Sequence, residues 1–283
     1  MTNKAYTPIR RGVVGAAVCN VLGACALTLG LAGLVGLQGC AAPADHAGQA
    51  IKTESDKTDA DKRASTRLQL AQGYFERGQY STALDEIKRA QAAKPDSIEA
   101  ISLRALVYAA MGESGLAEES FRRALSLNPK DGDVASNYGW FLCQQGQYAQ
   151  AYVQFDLALA QPNYRGIVRT WLARGVCQSR QGDLKQAEHS LSHAFELEPG
   201  NPTVQVNLAE VLYRQGQYER ARFYARRVNE KPELVNAQSL WLALRIERRL
   251  GNTVSVDDLG QQMRQRYADA KETTLLKEGR FDE

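Results

Sequence analysis

The chain has 283 residues, 44% of them hydrophobic, 24% charged and only 8 proline, a globular composition with ample material for a buried core. Its formal charge is +3, yet Lys4, Arg10 and Arg11 are the only charges in the first 39 residues, and setting them aside leaves 32 Lys+Arg against 32 Asp+Glu. A neutral body lacks the basic footprint that a phosphate backbone requires, which excludes nucleic acid as a partner.

Residues 1–39 do not read as part of the fold. A positive start at Lys4, Arg10 and Arg11 leads into an uncharged stretch from 13 to 37 rich in Leu, Val, Ala and Gly. It ends Leu37, Gln38, Gly39, Cys40. A basic start, an apolar core and a small residue before the cut make a secretory signal. The cysteine directly after the cut makes it a lipoprotein signal, with Cys40 carrying the lipid. The competing reading is an uncleaved transmembrane anchor, since the run is long enough to span a bilayer. Arg10 and Arg11 also allow a twin-arginine signal. No cofactor motif follows that would call for export of a prefolded chain, so general secretion is expected. Cys19 and Cys25 leave with the signal. Residues 40–63 hold Gly, Ser, Thr, Asp and Lys with almost no aliphatics, and read as a flexible tether.

From residue 64 onward the chain repeats. Alanines recur at Ala83, Ala117, Ala151, Ala187 and Ala221, in steps of 34, 34, 36 and 34. Gly78, Gly112, Gly146, Gly182 and Gly216 keep the same steps, and Gly251 follows after 35. Pro95, Pro129, Pro162, Pro199 and Pro232 punctuate the ends. Glycine at the end of a first helix permits the left-handed cap that stops it. The small alanine of a second helix lets the two backbones approach, with Phe121 or Phe155 filling the space beside it. Proline breaks the chain before the next unit. Each helix pair leaves an apolar face that the next pair buries. The expected fold is all-α: a right-handed solenoid of about six tetratricopeptide-like helix pairs over 64–283. The units run 64–97, 98–131, 132–167, 168–201, 202–235 and 236–270, followed by a tail.

The two extra residues of the third unit fall in the connection 161–166. In the sixth unit Leu244 replaces the small first-helix residue and Asp257 stands near the expected alanine. The tail, with Leu275, Leu276 and Phe281, is expected to fold over that last face.

Catalytic signatures are absent: the chain has no GxGxxG, Walker loop, GxSxG elbow or HExxH. No enzyme activity, cofactor, metal or small-molecule substrate is therefore expected. His189 and His193 lie four apart on one helical face, but no third ligand is evident and solvent-facing histidines are the plainer reading. Arg220, Arg222, Arg226, Arg227, Arg245, Arg248 and Arg249 form either a basic patch for an acidic partner or a solvated face. Cys143 and Cys177 fall on adjacent first helices two positions apart in register, within reach of a disulfide. The alternative is two buried apolar thiols.

One stretch is more distinctive than the repeat skeleton. It reads Asn137, Tyr138, Gly139, Trp140, Phe141, Leu142, Cys143, then Gly146, Gln147, Tyr148, and later Pro162, Asn163, Tyr164. Gly175, Val176, Cys177 and Ala221, Arg222, Phe223, Tyr224 follow, and the end runs from Leu275 through Gly279 to Phe281. Together these resemble the type IV pilus biogenesis and stability lipoproteins, tetratricopeptide pilotins that assist the outer-membrane secretin. The resemblance covers roughly 65–283. It departs at Tyr267 and Ala268, where that family closes its sixth unit with Pro. It implies a membrane-anchored protein on the periplasmic face of the outer membrane, binding secretin subunits and promoting their multimerisation. The alternative is an envelope scaffold that recruits peptidoglycan enzymes or proteases. First helices line the concave face of such a solenoid. The partner groove is therefore expected at Leu68, Gln72 and Phe75, at Leu106 and Ala109, and at Asn137 and Trp140.

Overall fold

A computed structural model describes residues 58–281. Residues 1–39, Cys40 and the tether up to residue 57 lie outside the described residues. The chain divides after Lys62. Of the first unit, the described residues 58–62 lead into the opening turn of the first helix. The second unit is a stack of helices, with no strand among the described residues.

The helices pair as the repeat requires: α1 (Asp59–Glu76) with α2 (Tyr80–Ala93), α3 (Ile98–Met111) with α4 (Ser114–Leu127), and α5 (Gly132–Gln144) with α6 (Tyr148–Leu159). Then come α7 (Ile167–Gln181) with α8 (Leu184–Leu197), α9 (Pro202–Arg214) with α10 (Tyr218–Asn229), and α11 (Ala237–Arg249) with α12 (Thr253–Arg266). A final helix, α13 (Lys271–Glu278), follows the sixth pair.

Every first helix stops at the predicted glycine, and all six glycines adopt positive φ between 72° and 95°. A Cβ there would be strained, so the sequence period and the turn are one constraint. First helices start on a side-chain cap where one is available. Ser97, Asp131 and Asn201 each accept a backbone N–H of the opening turn. Within a pair, Ala83, Ala117, Ala151, Ala187 and Ala221 are fully buried, as are Phe121 and Phe155.

One boundary differs from the sequence reading, and two of its points gain detail. The first helix begins at Asp59, so the last residues assigned to the tether are helical. Thr58 and Asp61 bond each other reciprocally and Asp59 and Asp61 sit in the first turn, where the helix dipole favours acid. In the third unit the extra residues bury a side chain: Tyr164 packs with Ala135 and Ala158, and its hydroxyl bonds Thr170 at 2.8 Å. In the sixth unit Val256, not Asp257, packs toward the core, and Asp257 is exposed. Leu244 is fully buried, and the second helix carries a small buried residue at Gly260. A Cβ on Gly260 would stand 3.5 Å from Leu276 of α13. The tail thus covers the sixth pair, with Leu275, Leu276 and Phe281 packed on Leu240, Trp241, Leu244 and Met263. No helix among the described residues is long and apolar enough to cross a membrane.

Candidate functional site

Each second helix packs on the following first helix, and from α3 onward each first helix also touches the next first helix. Among the described residues no second helix touches the next second helix. Pairs closer on one side than on the other must curve, so first helices line the inner face.

That face is laced together between successive units. Asp133 of α5 pairs with Arg169 of α7. The Arg180 guanidinium lies 4.8 Å from the Trp140 ring centroid. Arg214 of α9 donates to the Ser179 carbonyl at 3.0 Å, and Arg245 of α11 pairs with Glu210 at 2.7 Å. The period carries the same register along the chain: Gln72, Leu106, Trp140, Val176, Glu210 and Arg245 occupy equivalent positions. One turn on come Phe75, Ala109, Cys143, Ser179, Tyr213 and Arg248. The two rows are mostly apolar in the first three units, Gln72 excepted, and carry charge at Glu210, Arg245 and Arg248 in the last two.

Of the seven groove candidates, Gln72, Leu106 and Trp140 fall on the first of these rows and Phe75 and Ala109 on the second, while Leu68 and Asn137 fall on neither. Gln72 is exposed and donates to Glu76. Leu68 and Phe75 are half-buried against the Ala71, Ala83 and Ile87 core, with Phe75 6.0 Å from the Tyr80 ring. Leu106, Ala109 and Trp140 are half-buried against the neighbouring core, and Asn137 is half-buried beside them in sequence. Leu68, Phe75, Leu106, Ala109 and Trp140 thus pack on the core with one side and are part-exposed on the other.

Cys143 and Cys177 are joined by a disulfide with Cα atoms 5.8 Å apart, and both residues are buried. The bond ties α5 to α7 directly below Trp140. Around it, burial pushes the Tyr138 phenol above its ordinary range while its hydroxyl donates to Glu118 at 3.3 Å. Burial raises Tyr152 as well, and its hydroxyl donates to Gln181.

The other candidates stay ordinary. His193 stacks on Trp171 at 5.0 Å and reaches Glu196, while His189 meets its edge, and no group of three metal-ligating side chains exists among the described residues. The arginines of the last units are partnered. Arg226 pairs with buried Glu247 at 3.0 Å, Arg220 with Glu188 at 2.7 Å, and Arg222 with Glu219 at 2.5 Å. Arg227 lies over Phe223 and Arg248 over Phe281. Four of the seven thus meet carboxylates and two lie over aromatic rings.

Sequence reasoning missed the last two units of the face. Val206, Glu210, Trp241 and Arg245 line a cleft of about 250 Å³ there. Stepping from Leu68 and Gln72 by the repeat period would have found them.

A solenoid of helix pairs with glycine-capped first helices is a tetratricopeptide-repeat protein, and Tetratricopeptide repeat models match residues 62–161 and 179–238. Over 233 residues the chain is 28% identical to the type IV pilus assembly protein PilF of Pseudomonas aeruginosa, across 82% of this chain and 90% of that one. The solved structure of PilW, a type IV pilus biogenesis factor, superposes with TM-score 0.69 at 29% identity, over 75% of this chain and 97% of PilW. A solved structure of Pseudomonas aeruginosa PilF gives TM-score 0.67 at 25% identity, over 78% and 100%.

Proposed function

We propose that this chain is a lipoprotein of type IV pilus biogenesis that binds secretin subunits along its inner face. The likeness to PilF and PilW, over 82% and 75% of this chain, supports the pilus-biogenesis part of this reading. The lipid on Cys40 holds the body at the periplasmic side of the outer membrane. The apolar end of the inner face, from Leu68 to Trp140, takes an extended or amphipathic segment of the secretin subunit. Holding several subunits at the membrane raises their local concentration and promotes the multimer.

Deleting the gene tests this directly. Surface pili and heat-resistant secretin multimers are both lost if the reading holds. Secretin multimers at wild-type level in the outer membrane overturn it. Cys40→Ser is expected to leave the protein unlipidated and away from the outer membrane. Mass spectrometry finding residues 1–39 intact on the mature protein overturns the anchor.

A further inference from the structure

The second helix α8 carries two histidines about one turn apart, His189 and His193. Each is an ordinary surface side chain by itself: His189 is exposed, and the His193 side chain is 43% exposed. Their mutual placement is more specific. The two ring centroids lie 4.6 Å apart, with the planes at 84°. Two imidazoles bound to one ion through bonds of about 2.0–2.1 Å have centroids roughly 4.5 Å apart at a right angle, and roughly 5.2 Å apart at a tetrahedral one. The pair stands close to the right-angle spacing.

His193 is also held by its surroundings. Its ring stacks on Trp171 of α7 at 5.0 Å, and Trp171 is half-buried against the core. Its Nδ1 lies 3.3 Å from Glu196 Oε2. A carboxylate beside one ring nitrogen keeps the proton there, leaves a lone pair on the other and makes it a better ligand. Neighbouring charge does not oppose a cation. Arg174, whose guanidinium lies 5.4 Å from the Trp171 centroid, is paired with Asp156. Lys185, about one turn before His189, is offset by Glu196 after His193.

We infer that His189 and His193 chelate one divalent transition-metal ion, with water in its remaining positions. Two nitrogen donors at a right angle, completed by oxygen, suit copper(II) first and nickel(II) next. Tetrahedral zinc calls for at least three protein ligands, and among the described residues no third one joins the pair. The pair sits on a second helix, whereas secretin binding is assigned to the first helices, so the site stands apart from that reading.

The test titrates the purified full chain with copper(II) and reads tryptophan emission, because a copper ion held beside the stacked indole quenches it. Saturable quenching at micromolar copper is expected, and Trp171→Phe is expected to remove the quenched component. His189→Ala and His193→Ala are each expected to raise the half-saturating concentration at least tenfold, and Glu196→Gln severalfold. The third histidine of the chain, His46, lies outside the described residues, and His46→Ala is expected to change nothing. Nickel is expected to displace copper only in excess, and zinc less readily still. Because His189 is exposed, His189→Ala decides the matter at unchanged melting temperature even if His193→Ala loosens Trp171. Quenching that does not saturate, that disappears with His46→Ala, or that keeps its affinity in His189→Ala overturns the proposal. So does zinc binding tighter than copper.

Discussion

At the residue scale the chain relies on contacts too close for any other side chain. A Cβ on Gly139 would stand 2.8 Å from the Phe155 ring and 3.0 Å from the Ala151 carbonyl, and one on Gly175 would stand 2.6 Å from Leu191. The alanine period revealed half of this arrangement, the small residue of the second helix. The small first-helix residue was read as well, but spacing does not say that Gly139 meets Phe155 or that Gly175 meets Leu191. Gly139→Ala gains roughly 1 kcal/mol of helix propensity. Overpacking costs about 1–3 kcal/mol. A net loss of stability is therefore expected in denaturant unfolding, and a stabilised variant would contradict the packing.

The Cys143–Cys177 bond was legible as a possibility from register alone, since both residues sit on first helices that must be neighbours. It closes a loop of 34 residues between buried positions. Constraint of the unfolded chain is worth on the order of 3–4 kcal/mol for such a loop. The unfolded, unreduced protein is expected to take no thiol label at these positions, and reduction is expected to lower the denaturant midpoint. Labelling of both cysteines without reductant would show two thiols.

At the element scale, the least legible part was the end of the stack. The sixth unit breaks the rule of a small first-helix residue, and reading only the departure made it look degenerate. In the structure the pattern is inverted: Leu244 on the first helix is fully buried and the small buried residue is Gly260 on the second. Such an exchange is a pairwise property, invisible position by position. Tyr164 was missed for a similar reason, because an insertion gives length without saying which residue turns inward. In a stack whose units contact only neighbours, loss of the cap should loosen the last unit first. Leu275→Ala removes a buried contact worth about 2–5 kcal/mol in a core. Hydrogen exchange is expected to quicken in α11 and α12 while α3 to α6 keep their protection. A uniform loss along the chain would show instead that the stack opens as one body.

At the scale of the whole stack, the inner face changes character along its length, and this bears on how a partner lies in it. Leu68, Phe75, Leu106 and Trp140 give the first half apolar surface, whereas Glu210, Arg245 and Arg248 charge the second. The period alone contains this gradient, yet it emerges only when equivalent positions are aligned as rows. Because Leu68 and Phe75 also pack on the core, truncating them costs stability and confounds a binding assay. Gln72 separates the two effects. It is exposed, lies between them on α1, and bonds its helix neighbour Glu76. An exposed substitution there should change stability by less than about 0.5 kcal/mol. Gln72→Lys puts a charge beside the apolar surface and is expected to weaken secretin binding severalfold, while the melting temperature stays near that of the parent. Arg248→Ala, on the charged half, serves as the control and should leave secretin binding unchanged. Equal loss in both variants would mean that the whole face is engaged at once. No loss in Gln72→Lys would remove the apolar half from the interface.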